Sequence, residues 1–261
     1  MAYLGDYHTH TVHSKKKWFL FKHGKNTIEE NVERASELGL KEIAITDHGF
    51  NHRVYATDIK NIMALNAQKP VLEKQYNINV LSGVEANIIS RDGDIDISLD
   101  EIKNLDILVC GFHTMVKPQT IKDGFFMFFC NFMSKLFHIR TTKNVEMNTL
   151  AYIKMLEKYP IDIISHINYG IAKVDALKVA EQAVKTNTYI ELNCKRINFT
   201  KDEIAKMVQM GVIFIVDSDA HSVDRIADFN LARKIIKEYN IPEENVANMN
   251  KLPTFKNYKR K

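Results

Sequence analysis

The chain has 261 residues, and 45% hydrophobic against 26% charged residues is the balance of a chain that buries a core, not of a disordered one. At this length folding hides roughly 70–75% of the extended chain's surface, so neither a disulfide nor a structural metal is needed for stability. The formal charge of +4 is too mild to imply nucleic acid by itself, and 5 Pro with 10 Gly exclude collagen-like and low-complexity chains.

In chain order, short runs rich in Ile and Val alternate with amphipathic segments. Strands are predicted at 2–7, 42–46, 80–87, 107–112, 161–165, 189–193 and 212–216, with the composition of strands buried on both faces. Helices are predicted at 27–39, 59–75, 149–158, 176–186, 201–210 and 230–239. The first opens on a capping box, Thr27 with Glu30, and closes on Gly39. Asp92-Gly93-Asp94 is a turn signal that interrupts the alternation with a small hairpin. Residues 124–137 hold six Phe. Their main reading is a buried helix packed on the body of the fold; the alternatives are a lid, an apolar wall beside the substrate, or a dimer surface. The segment lacks a charged amphipathic face, which argues against a membrane surface as partner. The basic tail at 256–261 reads as a frayed terminus.

Seven strands alternating with helices call for parallel pairing, hence an α/β barrel or a doubly wound sheet. No Gly/Ser- or Pro-rich linker divides the chain, so one domain over 1–261 is expected. Cys110, Cys130 and Cys194 are odd in number and widely spaced, which fits free thiols in a reducing compartment. The first residues show no basic region followed by an apolar stretch, and no run approaches the ~18 residues of a membrane span. A cytoplasmic location is the expectation.

The histidines carry the chemistry. Of 10 in the chain, six stand just beyond predicted strand ends: His8, His10, His48, His113, His166 and His221. Glu85 ends the third strand and Asp219 precedes His221 by two. In a barrel, the carboxyl ends of the strands converge on one face. Imidazole and carboxylate gathered there are nitrogen and oxygen ligands for zinc, manganese or iron. On extended backbone His8 and His10 point to the same side, and Asp219 and His221 share that parity. Each residue alone has an ordinary reading as a hydrogen-bonded loop residue, but six coincidences at strand ends do not.

Four motifs, His8-Thr9-His10, Thr46-Asp47-His48, Ser165-His166 and Asp217-Ser218-Asp219-Ala220-His221, together with Gly83-Val84-Glu85-Ala86-Asn87 and Gly111-Phe112-His113, resemble those of the PHP family. This is the polymerase and histidinol phosphatase superfamily of metal-dependent phosphoesterases. The resemblance runs from Ala2 to about Tyr239 and is nearest to the small stand-alone bacterial members. It implies a distorted seven-stranded (β/α)7 TIM-like barrel holding two to three divalent metal ions at the carboxyl ends of its strands. By the resemblance, His8, His10, Glu85 and Asp219 hold the first metal. Glu85 bridges to a second with His113 and His166, and His23, His48 and His221 hold a third. His23 is preferred to His13 because it abuts the capping box; His13, His52 and His138 are left as loop or surface residues. The family often has Ser-His-Pro where this chain has Ser165-His166-Ile167, so the ligand carries over but the following loop and the substrate preference do not.

At such a site, a water between two cations loses its proton near neutral pH and attacks phosphorus, and the cations neutralise the phosphoryl oxygens. Asp47, Glu85 and Asp219 are the expected catalytic carboxylates. Asp47 either orients the imidazoles or holds a proton for the leaving alkoxide. Arg53, Arg196 and Arg225, in loops after strands, are the substrate-binding candidates, since a guanidinium fork suits phosphate; Lys195 and Lys117 rank behind them. The expected activity is hydrolysis of a small phosphomonoester, with histidinol phosphate a leading candidate. A phosphodiesterase or nuclease and a non-catalytic metal-stabilised interaction domain are the alternatives. Neither nucleic acid nor membrane is favoured as partner.

Overall fold

The computed structural model describes residues 2–14, 24–137 and 141–260. Seven strands form one parallel sheet in sequential order: β1 (Gly5–Asp6), β2 (Glu42–Ile45), β3 (Asn79–Asn87), β4 (Ile107–Gly111), β5 (Ile163–Ile164), β6 (Tyr189–Asn193) and β7 (Phe214–Asp217). The sheet curls into a nearly closed barrel, as the (β/α)7 expectation has it. The helices are α1 (Ile28–Glu37), α2 (Ile59–Tyr76), α3 (Leu99–Ile102), α4 (Ile121–Asp123), α5 (Asn131–Leu136), α6 (Thr142–Lys158), α7 (Ala176–Lys185), α8 (Lys201–Gln209) and α9 (Asn230–Tyr239). A π-helical stretch, Gly124–Cys130, joins α4 to α5. Thr27 does form a reciprocal capping box with Glu30 on α1.

Side-chain parity organises the barrel. Ala44, Leu81, Ile107, Val109, Ile163 and Ile215 point inward and pack together with Tyr7. Their neighbours Ile43, Ile45, Val80, Leu108, Ile164 and Phe214 pack outward in the larger cluster that holds the helices. Because strand side chains alternate, the inward series runs on to His48 after β2, Glu85 on β3, His113 after β4, and Glu191 on β6. The same register that fills the interior with aliphatic carbon therefore delivers polar groups to its carboxyl end.

β1 and β7 flank the opening, and polar groups bridge it at both levels. Near the carboxyl ends, Tyr7 N donates to Asp217 Oδ1 (2.7 Å) and His10 N to the Ala220 carbonyl (2.8 Å). Near the amino ends, the buried Asn248 amide donates to the Gly5 and Val216 carbonyls and accepts from Val216 N. The Asp92-Gly93-Asp94 turn closes a short hairpin with Ile88 opposite Ile95; Gly93 supplies the required positive φ of 79°.

Two sequence expectations fail. The C-terminal tail is not frayed: Phe255 packs edge-on against Tyr7 at 4.9 Å, and Arg260 grips both oxygens of the buried Glu42 (2.7 and 2.8 Å). The Phe-rich segment is helical but is not a buried helix. Met127 and Asn131 are buried, whereas Phe125, Phe129, Phe132 and Phe137 are exposed. Its apolar residues are too many to fit the one face that meets the barrel. Among the described residues, no helix is long and apolar enough to cross a membrane.

Candidate metal centre

At the carboxyl ends of the strands, Glu85 is fully buried and faces five imidazoles. His166 Nε2 and His113 Nε2 lie 2.8 and 3.3 Å from its Oε1, and His8 Nε2 lies 3.2 Å from the same oxygen. His48 Nδ1 and His10 Nε2 lie 2.9 and 3.6 Å from Oε2. On the β1 side, Asp219 Oδ1 stands 3.3 Å from His10 Nε2 and 3.5 Å from His221 Nδ1. Three sets of donor atoms, each within 4.8 Å of one another, result: His8, His10 and Glu85; His48, Glu85 and His113; and His10, His48 and His221.

These groupings contain six of the nine positions named from the resemblance, His8, His10, His48, Glu85, His113 and His221; His166 and Asp219 stand beside them, 2.8 Å from Glu85 and 3.3 Å from His10. The ninth, His23, lies outside the described residues. The alternative, His13, lines a separate crevice with Asp47 and Asn61. Backbone geometry bends to make the cluster. His166 and Asp219 have positive φ, 27° and 51°, a region that costs non-glycine residues of order 1–3 kcal/mol and recurs at functional sites. The Asp219–His221 pair thus converges through a left-handed turn, not through strand alternation. Gly111 is bare of necessity, since a Cβ there would meet Ser165 Oγ at 2.3 Å and the His166 ring at 3.0 Å.

The donor set fits divalent cations. His8 Nε2, Glu85 Oε2 and His113 Nδ1 are buried without an acceptable hydrogen bond among the described residues. A polar group left so costs free energy unless something fills its need. The protonation pattern agrees. Burial raises the carboxyls of Glu85 and Asp219, but the surrounding imidazoles, and Lys195 for Asp219, outweigh it and hold both well below the usual carboxylate range. Burial, with neighbouring histidines, drives His10 and His48 well below the imidazole range, and burial takes His221 down to about 4. Anionic carboxylates and neutral imidazoles are the ligating forms. His8 and His166 are opposite in sign. Burial lowers His166, yet Glu85 with its acidic neighbours raises it. Burial lowers His8 too, yet Glu85, Glu191 and Asp219 together raise it, so a cation binding there displaces a proton.

Several residues that position the cluster have no motif. Glu191 accepts from His8 Nδ1 (2.6 Å) and from His166 N (2.6 Å), which leaves His8 Nε2 aimed at the centre. Its inward parity on a strand with Asn193 was the available signal. Asn193 in turn donates to Glu191 and Asp219. Lys195, ranked low from sequence, places Nζ 3.0 Å from Asp219 Oδ1 and 2.8 Å from His221 Nδ1. His52 is a correction. It is buried, not a surface residue, and stacks between His48 and Tyr55 at about 5 Å from each.

Asp47 sits one layer behind. Its oxygens accept from Thr11 N (2.7 Å), Thr11 Oγ1 (2.6 Å) and Ser14 Oγ (2.5 Å), and Ser14 Oγ reaches His10 Nδ1 at 3.4 Å. Both oxygens are thus engaged away from the cavity. A cavity of about 250 Å³ is lined by the cluster, His8 and His10 excepted, together with His52, Tyr55, Met115, Tyr169 and Lys195. It adjoins a pocket of about 440 Å³ that shares Tyr169 and Gly170 and is lined by Arg196, Lys135 and Lys173. Of the three arginines, only Arg196 lines either space. Arg53 is exposed outside both, and Arg225 is paired with Asp228.

The PHP domain model matches residues 6–195. A probable phosphatase of Clostridium botulinum is 31% identical over 255 residues, 95% of this chain and 91% of that protein. One of Caldanaerobacter subterraneus is 30% identical over 256 residues, 93% and 86% of the two chains. Among solved structures, histidinol phosphate phosphatase of Lactococcus lactis, complexed with zinc, L-histidinol and phosphate, superposes with a TM-score of 0.61. It has 16% identity and covers 97% of each chain. A putative histidinol phosphatase of Listeria monocytogenes gives 0.55 at 16% identity, over 86% of this chain and 97% of that one.

Proposed function

The chain belongs to the PHP domain family, and from that premise we propose that it hydrolyses a phosphomonoester of a small metabolite with the help of two to three divalent cations. The observation that carries the reading is the convergence of five imidazoles on one buried, anionic carboxylate, Glu85, at the floor of an open cavity. We assign the ligand roles as the resemblance has them: His8, His10, Glu85 and Asp219; Glu85, His113 and His166; and His48 and His221, with His23 completing the last set. When bound, the cations acidify water and neutralise charge on phosphoryl oxygens, the two needs of ester hydrolysis near neutral pH.

The chain's own groups do the rest. Glu191 fixes the tautomer of His8 so that its free nitrogen faces the centre, and Asp47 acts as a positioning residue on His10 through Ser14. Lys195, at the cavity wall beside Asp219, would neutralise a phosphoryl oxygen, a point charge in a cavity that none of the three expected arginines lines. Arg196 in the adjoining pocket is placed to hold the alcohol part of the substrate. Two small connected spaces suit a compact metabolite better than a polynucleotide groove. Histidinol phosphate is the first candidate, because the Lactococcus lactis enzyme of the same fold was captured with L-histidinol and phosphate.

The test joins metal analysis of the purified protein to hydrolysis of p-nitrophenyl phosphate and of its bis-ester. Two to three zinc, manganese or iron ions per chain, with chelator-sensitive cleavage of the monoester, is the expected result. Faster cleavage of the bis-ester would replace the proposal by a phosphodiesterase, and bound metal with neither activity would replace it by a binding domain.

A further inference from the structure

The Phe-rich segment has no part in the chemistry above, and its exposure demands a partner. Helical structure is continuous over 121–136, through α4, the π-helical stretch and α5. Down one side stand Ile121 (93% exposed), Phe125, Phe129, Phe132 and Leu136, the last four each more than half exposed, with Phe137 just beyond. Spacings of three and four residues make this a single stripe. Phe125 stacks on Phe129 at 5.4 Å, so the stripe is continuous, while Phe128 turns inward to stack on Phe112. A contiguous apolar patch of this kind, unlike scattered surface hydrophobes, marks an interaction site.

Charge selects the partner. Residues 117–143 contain five basic side chains, Lys117, Lys122, Lys135, Arg140 and Lys143, against the one acid Asp123, a net of +4 that equals the formal charge of the whole chain. Lys117, Lys122 and Lys143 are exposed, as is Lys135, which also lines the pocket on the inner side of the helix. Asp123 is buried and already paired with Arg91 (3.1 Å), so it offsets nothing outside. Exposed aromatic side chains with exposed lysines nearby in the chain complement a bilayer with anionic headgroups, where rings enter the interface and ammonium groups meet phosphates. A second copy of this chain is the poorer fit, because a two-fold contact through the stripe would set the same lysines against one another.

We propose that the face of 121–137 docks the protein on anionic membrane surfaces, against the sequence expectation of no membrane partner. The inner side of the same helix gives Asn131, Ser134 and Lys135 to the pocket that adjoins the metal cavity. Docking therefore brings the opening of the site close to the bilayer. The proposal is independent of which phosphoester is cleaved.

The experiment is co-sedimentation of the full chain with vesicles of phosphatidylcholine alone or mixed with phosphatidylglycerol, at low and high salt. Binding to the mixed vesicles that weakens with salt is expected. Phe129→Ser with Phe132→Ser should reduce the partition coefficient by about tenfold or more, and Lys122→Glu with Lys143→Glu should abolish the preference for phosphatidylglycerol. Thermal unfolding and sedimentation equilibrium of each variant accompany the assay. No binding by a folded wild type overturns the proposal. So does a wild-type dimer that the Phe129→Ser, Phe132→Ser pair dissociates, since the face would then belong to a second copy.

Discussion

At the amino end of the barrel, Glu42 is fully buried, and its oxygens receive the fork of Arg260 and the Tyr7 hydroxyl (2.8 Å). At the carboxyl end, Glu85 is buried as completely, and what faces it among the described residues is five imidazoles, the nearest at 2.8 and 2.9 Å. One end is closed by the chain itself: residues of the tail complete the interior with Phe255 and satisfy Glu42 and Asp162. The other end is built of groups that satisfy one another poorly and have the donor atoms to hold a cation. Equal burial thus serves opposite purposes. A buried carboxylate met by a guanidinium is structure, and one met by five imidazoles is a candidate metal ligand.

The comparison predicts that changes at the two ends separate activity from stability. The largest effect is expected from Asp219→Ala or His10→Ala, which should cut kcat/KM on p-nitrophenyl phosphate by about a thousandfold or more and lower bound metal. The far-ultraviolet circular dichroism should stay native. Wild-type turnover in either variant would sink the ligand assignment.

At the opposite end, Phe255→Ala removes the ring packed on Tyr7 and should cost about 3–5 kcal/mol in urea unfolding while metal content per folded chain is unchanged. A loss of metal there, with stability intact, would mean that the two ends are not independent. Between these lies Glu191→Gln, which weakens the hold on His8. A drop of roughly 10–100-fold in metal affinity is expected with little change in the unfolding midpoint of the metal-free protein.

The last effect is a pH dependence at the closed end. Burial pushes the Asp162 carboxyl up from 3.8 to about 6, only partly opposed by the Lys256 and Leu108 amides that donate to it. The folded state therefore holds this proton more tightly than the unfolded state. Its contribution is complete below about pH 4 and is lost as pH rises through about 6. Relative to wild type, Asp162→Asn should gain stability across that window, by on the order of 3 kcal/mol. Urea midpoints compared at several pH values check the sign; a constant difference would contradict it.

Much of the barrel was legible because periodicity is local. Ile- and Val-rich runs marked most of the seven strands, and a capping box marked α1. Boundaries were less so. The strand expected at 161–165 is reduced to Ile163–Ile164 in the paired sheet, and α6 begins at Thr142, because its first two turns carry no apolar pattern and rest on the Thr141 cap. In the cluster, the histidines were found by their position just past strand ends. Glu191 and His52 were not, since neither stands in a recognisable motif and each acts through contact with residues distant in sequence.

By itself, then, the sequence determined the alternation of elements, the parallel sheet, and the identity of the side chains that the strand register delivers to one end. Those follow from backbone period and side-chain chemistry, which neighbours in the chain share. Tertiary structure alone decided which buried carboxylate meets a guanidinium and which meets imidazoles. It alone tucked the basic tail against Glu42 and Asp162 and left the Phe stripe in the open. Pairing of charges and burial of rings depend on partners tens to hundreds of residues away, and only closure of the barrel brings those partners within reach.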